Sequence, residues 1–584
     1  MGALAAEALL GVVLVPLLAA GAVILRPPPK WVVNLAPVCA LPSFLASLLP
    51  MWPETGTVQW LFLGAQVGMD PTARLFLLAT SFVWAVAAAF AVFSPPGGPN
   101  RRFFAYFYTA MAGNFLLIIA GDMITFLVGF TMMSYAGYGL VVHKQDRESR
   151  RAARVYVVLV VFAEALLLVG ATLAWGEAGS WELAAVRDAL GEGGTVAMAA
   201  TAFLFAGFGV KAGMLPVHVW LPLAHPAAPA AASAVLSAAM IKAGLLGWLR
   251  FLPVGYEGQQ WLGGWAVSAG LAAAFVGVIL GLLQSRPKTI LAYSSISQMG
   301  YMTLLVGIAA WFPELYGAVI LAVLVYAAHH ALAKGALFLS VDVVRDAPRG
   351  VYWKFAEAAG LVIPALALAG APLTTGAIAK EELKAVPYLG EGALPAYLDP
   401  ALILGAVATT VLMARFLWVV WPRETRNRPV STMARSIWIM LATSVVWAPW
   451  IVPWGYIRRS ALAAVTPEAA WAAFWPLAVG TLLSLVVIRR RELLPWSIDD
   501  VISPGDLVVP ATAIWRRVST AVVAILSNLQ QRWYQATRGA VVIAAIQWQK
   551  ILAMQRIEAR LRKQAWNWVW ILMVALALLI ALLL

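Results

Sequence analysis

The chain has 584 residues, of which 62% are hydrophobic and 12% charged, with a formal net charge of +14. Ordinary soluble domains are about half apolar and a quarter charged, so this composition excludes a soluble fold. The single cysteine, Cys39, excludes a disulfide framework, an iron–sulfur cluster or a thiolate zinc site built from this chain alone. No cofactor is therefore expected, and any redox chemistry belongs to partners.

Apolar runs of about 20 residues, each long enough to cross a hydrocarbon core of about 30 Å, recur from end to end. In chain order they fall at 4–25, 31–50, 73–94, 102–120, 122–143, 153–175, 195–220, 228–251, 262–284, 288–310, 313–343, 353–385, 398–421, 435–456, 468–488 and 565–584. The pattern predicts an all-α polytopic membrane protein with about 16 transmembrane helices. The first run carries Glu7 and lacks both the basic leader and the small-residue cleavage site of a signal peptide, so it is expected to be a retained helix. Residues 53–70 are too mixed to span and are expected to form an external hairpin or loop.

Two runs, the seventh and the twelfth, are interrupted by proline. In FAGFGVKAGMLPVHVWLP, Pro216 comes five residues after Lys211, and in LALAGAPLTTGAIAKEELK, Pro372 comes eight residues before Lys380. Proline inside a helix removes a backbone hydrogen bond, and lipid cannot satisfy the freed carbonyl. Paired breaks of this kind point to inverted repeats meeting at an ion site. The expected organisation is therefore helices 1 to 3 in 1–101, a first inverted five-helix repeat in 102–251, a second in 262–421 and two further helices in 435–488. Direct similarity between the halves is weak, and the symmetry rests in part on the resemblance below. From 503 to 564 the composition turns mixed and charged, which suits a long lateral amphipathic helix on the cytoplasmic face or two shorter interfacial ones. The terminal span, 565–584, follows it.

The basic residues concentrate in short loops after odd-numbered runs, among them Arg101, Arg102, Lys144, Arg147, Arg150, Arg286, Arg345 and Arg423, whereas loops after even-numbered runs carry few, chiefly Arg187, Arg458 and Arg459. That distribution reads as membrane orientation rather than nucleic-acid binding. It puts those loops in the cytoplasm and the N-terminus outside, in the inner (plasma) membrane.

A charged side chain at the bilayer centre costs at least about 2.5–3.5 kcal/mol, so intramembrane charges are functional candidates by default. Lys211, Lys242, His329, His330, Lys334 and Lys380 fall within predicted helices, with Glu164 and Asp122 nearer an end. A lysine amine in low dielectric exchanges its proton as a carboxylate partner comes and goes, which suits it to a proton relay. His330 and Lys334, four residues apart, share a helix face, and imidazole titrates near neutrality. The pair reads as a relay rather than a metal site. Structural alternatives stand beside these readings. Lys242 can snorkel, His218 and His225 can cap helices, His329 and Arg415 can serve packing, and Glu7 can face a partner.

The segments KAGMLPVHVWLPLAHPAAPAAASAVLSAAMIKAG, RPKTILAYSSISQMGYM, HHALAKGALFL and APLTTGAIAKEEL occur in this order within roughly residues 70–420. They resemble the central motifs of the proton-translocating antiporter-like membrane subunits of complex I, membrane-bound hydrogenases and multisubunit cation/proton antiporters, with the wording nearest the hydrogenase-associated branch. The resemblance implies a lysine of the first broken helix at Lys211, a connecting lysine at Lys242, a central relay at His330 and Lys334, and an exit lysine at Lys380. It implies two half-channels joined by a polar axis, and a lateral helix before the last span. One departure stands out: relatives carry a glutamate after a tryptophan in the fifth helix, where DMITFLVGFTMMSYAGYGL has Phe130 and Thr131. Glu164, on the following helix, is the nearest replacement by sequence.

Three functions follow from these observations. The first is a proton-translocating subunit of a complex I-like redox assembly, whose partners are other membrane subunits, peripheral redox subunits and the lipid bilayer. The second is an ion-conducting subunit, for protons or sodium, of a non-redox antiporter or inorganic-carbon uptake complex. The third is a non-pumping membrane scaffold. No dinucleotide-binding glycine loop is present to make the chain a self-contained oxidoreductase.

Overall fold

Polar residues placed just ahead of apolar runs start the helices. Asp70, Asn100, Asp122 and Asp146 each accept a hydrogen bond from a backbone N–H in the first turn of the following helix, Asp70 from Ala73 and Asp146 from Ser149 at 2.7 Å. These caps satisfy donors that a helix end leaves open. In this computed structural model, residues 2–24, 30–62, 64–94, 100–344, 350–389, 397–421, 430–489 and Ser527 are described. The chain divides into two compact units, Met1–Asp506 and Leu507–Leu584, and all of these residues except Ser527 belong to the first. The expected lateral helix at 503–564 and the terminal span at 565–584 lie outside the described residues, as do Arg345 and Arg423.

Among the described residues, 13 helices are long and apolar enough to cross a membrane. One predicted span is not a single rod. Residues 31–50 form Lys30–Asn34, a 3-10 turn at Val38–Ala40 and Leu41–Leu48, because Pro37 and Pro42 withdraw backbone donors. Residues 53–70 form the expected hairpin, with Gly56–Val58 antiparallel to Ala65–Val67. Asp122 fastens it: one carboxylate oxygen accepts from Gln66 N at 2.7 Å, and the other caps the helix at Thr125 N at 2.8 Å. Asp122 is thus an anchoring residue at a helix start. Pro287–Trp311 falls outside the 13 because of its serines, Lys288 and Gln298, and it is buried from Pro287 to Ala310. Protein replaces lipid around it, which is what makes so polar a helix tolerable at membrane depth.

Two hairpins of adjacent helices are packed backbone against backbone. A Cβ on Gly270 would come 2.6 Å from the Gly300 carbonyl oxygen, and one on Gly300 would come 2.5 Å from that of Gly270. The same close approach joins Arg101–Ile119 to Met123–Val141 through Gly113 and Gly129. Gly300→Val is expected to destabilise the fold by at least about 1–3 kcal/mol, because the obstacle is backbone that cannot rotate away. Thermal unfolding of the purified protein in detergent measures this.

The two predicted breaks are present. Thr195–Ala212 stops at Gly213, whose φ of 74° is the left-handed conformation that glycine tolerates. After a turn through Pro216, the chain resumes at Trp220–Ala227. The Trp220 indole donates to the carbonyl of Val210 at 2.8 Å, satisfying an oxygen near the break. Gly350–Ala369 stops at Gly370, and Thr375–Leu389 continues after Pro372. There the Lys380 amine donates to the carbonyl of Ala369 at 2.6 Å.

The charged loops segregate. Lys144 reaches the Pro226 carbonyl at 3.5 Å, Arg286 pairs with Glu148, and Lys288 donates to Ala228 at 2.9 Å, so these loops share one basic end. At the opposite end Asp70 and Arg250 form a two-bond ion pair at 2.5 and 2.8 Å. Burial opposes ionisation of Asp70, but the Arg250 guanidinium outweighs it and holds the carboxyl below its ordinary range. Tyr256 is hydrogen-bonded to Asp188 at that same end.

Candidate functional site

The centre of the molecule holds a closed polar ring across three helices. In Ala230–Phe251 the helix widens into a π turn over Leu236–Met240. Such turns expose backbone oxygens and recur at functional sites. The Lys242 amine reaches back to the carbonyl of Ser237 at 3.2 Å and meets His330 Nδ1 at 2.8 Å. The hydroxyls of Ser237 and Ser295 are 2.9 Å apart, and Ser295 donates to the carbonyl of Leu291 at 3.0 Å. That same carbonyl accepts from the Lys334 amine at 2.9 Å. Lys334 lies one turn beyond His330 on Tyr316–Val343, which closes the ring. Lys242, His330 and Lys334 are buried, and among the described residues His330 Nε2 has no hydrogen-bond partner.

The first broken helix presents Lys211, buried, with its amine donating to Ser134 Oγ at 3.0 Å and Tyr156 Oη at 3.1 Å. The rings of Phe130, Tyr156 and Trp220 stand 5.8, 5.3 and 5.8 Å from it. Three aromatic faces around an ammonium supply cation–π attraction. Glu164 is half-buried on Arg147–Ala178. Its carboxyl comes against the hydroxyls of Thr131 and Tyr135 and within electrostatic reach of Lys211, while its Oε1 makes no hydrogen bond among the described residues. A small pocket beside the amine is lined by Phe130, Ser134 and Trp220 and, from the helix that bears Glu164, by Tyr156, Val160 and Ala163.

The second broken helix presents Lys380, partly buried and turned back on the break. The structure therefore gathers Lys242, His330 and Lys334 into one cluster, with Lys211 and Glu164 at one break and Lys380 at the other. Lys242 does not snorkel. Arg415 donates to the carbonyl of Gln284 at 3.1 Å, a packing contact, and Glu7 is exposed on its helix. His225 is stacked on Phe338 with ring centroids 4.3 Å apart, and neither of its ring nitrogens makes a hydrogen bond.

Reading by sequence missed Ser237, Ser295 and Thr375, hydroxyls in apolar runs that carry no signal of their own. It also set His329 aside. Consecutive helical residues point about 100° apart, so His330 meets Lys242 while His329 Nδ1 lies 2.9 Å from Thr375 Oγ1 at the start of the second half-helix. The doubled histidine was the available clue.

Fold and site together define a multi-pass helical membrane protein with a buried lysine–histidine network between two broken helices. A family model described as NADH:quinone oxidoreductase/Mrp antiporter, transmembrane, matches residues 120–385, which include every lysine and histidine of the network and Glu164. The chain is 30% identical over 381 residues to NADH-quinone oxidoreductase subunit N of Rubrobacter xylanophilus, covering 63% of this chain and 78% of that one. It is 31% identical over 296 residues to hydrogenase-4 component B of Escherichia coli K12, covering 47% of this chain and 43% of that one, so less than half of the hydrogenase component is spanned. In the solved Mrp complex from Dietzia sp. DQ12-45-1b, one chain shares the fold with a TM-score of 0.72 at 22% identity, covering 94% of this chain and 63% of that one. The chain belongs to the NADH:quinone oxidoreductase/Mrp antiporter membrane family.

Proposed function

We propose that the chain is a proton-translocating membrane subunit of a multisubunit complex I-like redox assembly, of the NADH:quinone oxidoreductase or membrane-bound hydrogenase type. The observation that carries this reading is the closed ring of Lys242, His330 and Lys334 between two helices broken at membrane depth. Amines and imidazoles take up and release protons, whereas hard cations require oxygen ligands, which favours protons over sodium as cargo. In this reading Lys211 serves one half-path with Glu164 as its counter-charge, Lys242, His330 and Lys334 form the axis, and Lys380 serves the other. The glycine-packed hairpins at Gly113/Gly129 and Gly270/Gly300, each leading toward a broken helix, support two five-helix repeats in 102–251 and 262–421. The basic end supports a cytoplasmic assignment for that face and an outward N-terminus in the inner membrane. Peripheral redox subunits are the proposed partners, because the chain has one cysteine and no cluster ligand set of its own.

The Mrp likeness keeps a second reading in view, an antiporter subunit with no redox partner. Affinity purification of the tagged chain from its own membranes separates the two by the presence or absence of hydrogenase or quinone-reductase subunits. In proteoliposomes of the purified assembly, with an imposed potassium diffusion potential and a trapped pH dye, Lys211→Ala and Lys380→Ala are each expected to slow proton transfer by about 100-fold, the scale of a lost acid–base group. Wild-type rates in both variants would reduce the chain to a membrane scaffold.

A further inference from the structure

Among the described residues, His329 is the buried histidine next to the second broken helix that the proposed relay leaves without a task. It is 2% exposed, its Nδ1 is 2.9 Å from Thr375 Oγ1, and its ring meets Tyr326 edge to face at 6.1 Å. A Cβ on Gly376 would come 1.7 Å from the Ala367 carbonyl oxygen and 3.0 Å from His329 Cε1, so the half-helix packs closely against both the break and the imidazole. Tyr326 and Thr375 touch it, and His330 and Lys334 on its own helix, Lys242 from the central helix and Lys380 from the half-helix lie within electrostatic reach. Helical side chains lean toward the N-terminus, which is why Lys380 comes back over the break to Ala369. Its amine thus returns to the end of the preceding half-helix, beside Ala369 and Gly370, across the break from Thr375.

We infer that His329 is a proton-carrying residue that joins the central ring to Lys380 through the Thr375 hydroxyl. This rests on the relay proposed above. His329, neutral with its proton on Nδ1, takes up a proton at Nε2 from the His330 and Lys242 side. The imidazolium then gives its Nδ1 proton to Thr375 Oγ1 as that hydroxyl releases its own to the neutral Lys380 amine. Return of the remaining ring proton to Nδ1 resets the imidazole, so one proton enters and one leaves. No bond other than to hydrogen is made or broken. The two histidines divide the work because they sit side by side on one helix: His330 reads the ring, and His329 reads the broken helix.

The test uses the full chain in its purified assembly, in the same dye-loaded proteoliposomes. His329→Asn keeps a side-chain amide near the Nδ1 position for Thr375 but cannot pass a proton from one ring nitrogen to the other. Transfer is expected to fall at least about tenfold while assembly and thermal unfolding stay at wild type. Thr375→Val should match it, and Thr375→Ser should restore transfer to within about threefold, since the hydroxyl alone is required. Wild-type transfer in His329→Asn, with Lys242→Met and Lys380→Ala inactive, overturns this inference and leaves the relay standing. Wild-type transfer in Lys242→Met and Lys380→Ala overturns the relay itself. If His329→Asn fails to assemble, Thr375→Val against Thr375→Ser decides the matter: equal rates in the two defeat it.

Discussion

Lys242→Met is expected to stop proton transfer, by about 100-fold or more, while the protein still folds. The amine contacts both His330 Nδ1, at 2.8 Å, and the Ser237 carbonyl freed by the π turn, at 3.2 Å. Methionine matches its length and fills its volume but neither donates nor carries a proton. Leaving those two partners unpaired costs about 1–3 kcal/mol each at most, a lowering of the melting temperature that unfolding in detergent will show. Transfer should fall much further than stability does, because an acid–base group in a proton path is worth about 100-fold to 10,000-fold in rate. The two measurements separate a relay lysine from a structural one. A variant that unfolds earlier yet transfers protons at the wild-type rate removes the ring from the path.

The second large effect concerns the missing glutamate. Glu164→Gln should lower transfer by at least about tenfold, because Lys211 is otherwise surrounded by hydroxyls and three aromatic rings and has lost the charge that sets its proton affinity. Thr131 and Tyr135 are one turn apart, and both lie against the Glu164 carboxyl. A glutamate at 131 therefore delivers a carboxylate to the same place from the opposite helix. The double variant Thr131→Glu with Glu164→Gln should recover transfer to within about threefold of wild type. Initial rates in proteoliposomes decide it: a double variant as slow as Glu164→Gln alone would show that the charge has not simply changed helices.

Several features were legible before any coordinates. Pro216 and Pro372 marked both breaks, because a residue without an amide proton removes a hydrogen bond from the helix ladder, although Pro364, Pro449 and Pro476 sit inside helices that continue. The mixed stretch at 53–70 became a hairpin. Other features were hidden for reasons equally local. Residues 31–50 are apolar enough to span, and only the spacing of Pro37 and Pro42 cuts them into pieces. The fourfold spacing of His330 and Lys334 placed them on one face, yet the hydrogen bonds of both side chains go to other helices, to Lys242 and to the Leu291 carbonyl.

Hydropathy and the distribution of arginine and lysine were enough to make this a multi-pass membrane protein, because burial in lipid acts on each segment separately and leaves its mark in composition. They also singled out Lys211, Lys242, His330, Lys334 and Lys380, since each is costly where it stands. Which of them meet was decided by the rotation of each helix about its own axis and by glycine contacts that set how closely neighbours pack. Those contacts join residues as far apart as Lys242 and His330, or His329 and Thr375, and no periodicity within one helix encodes them.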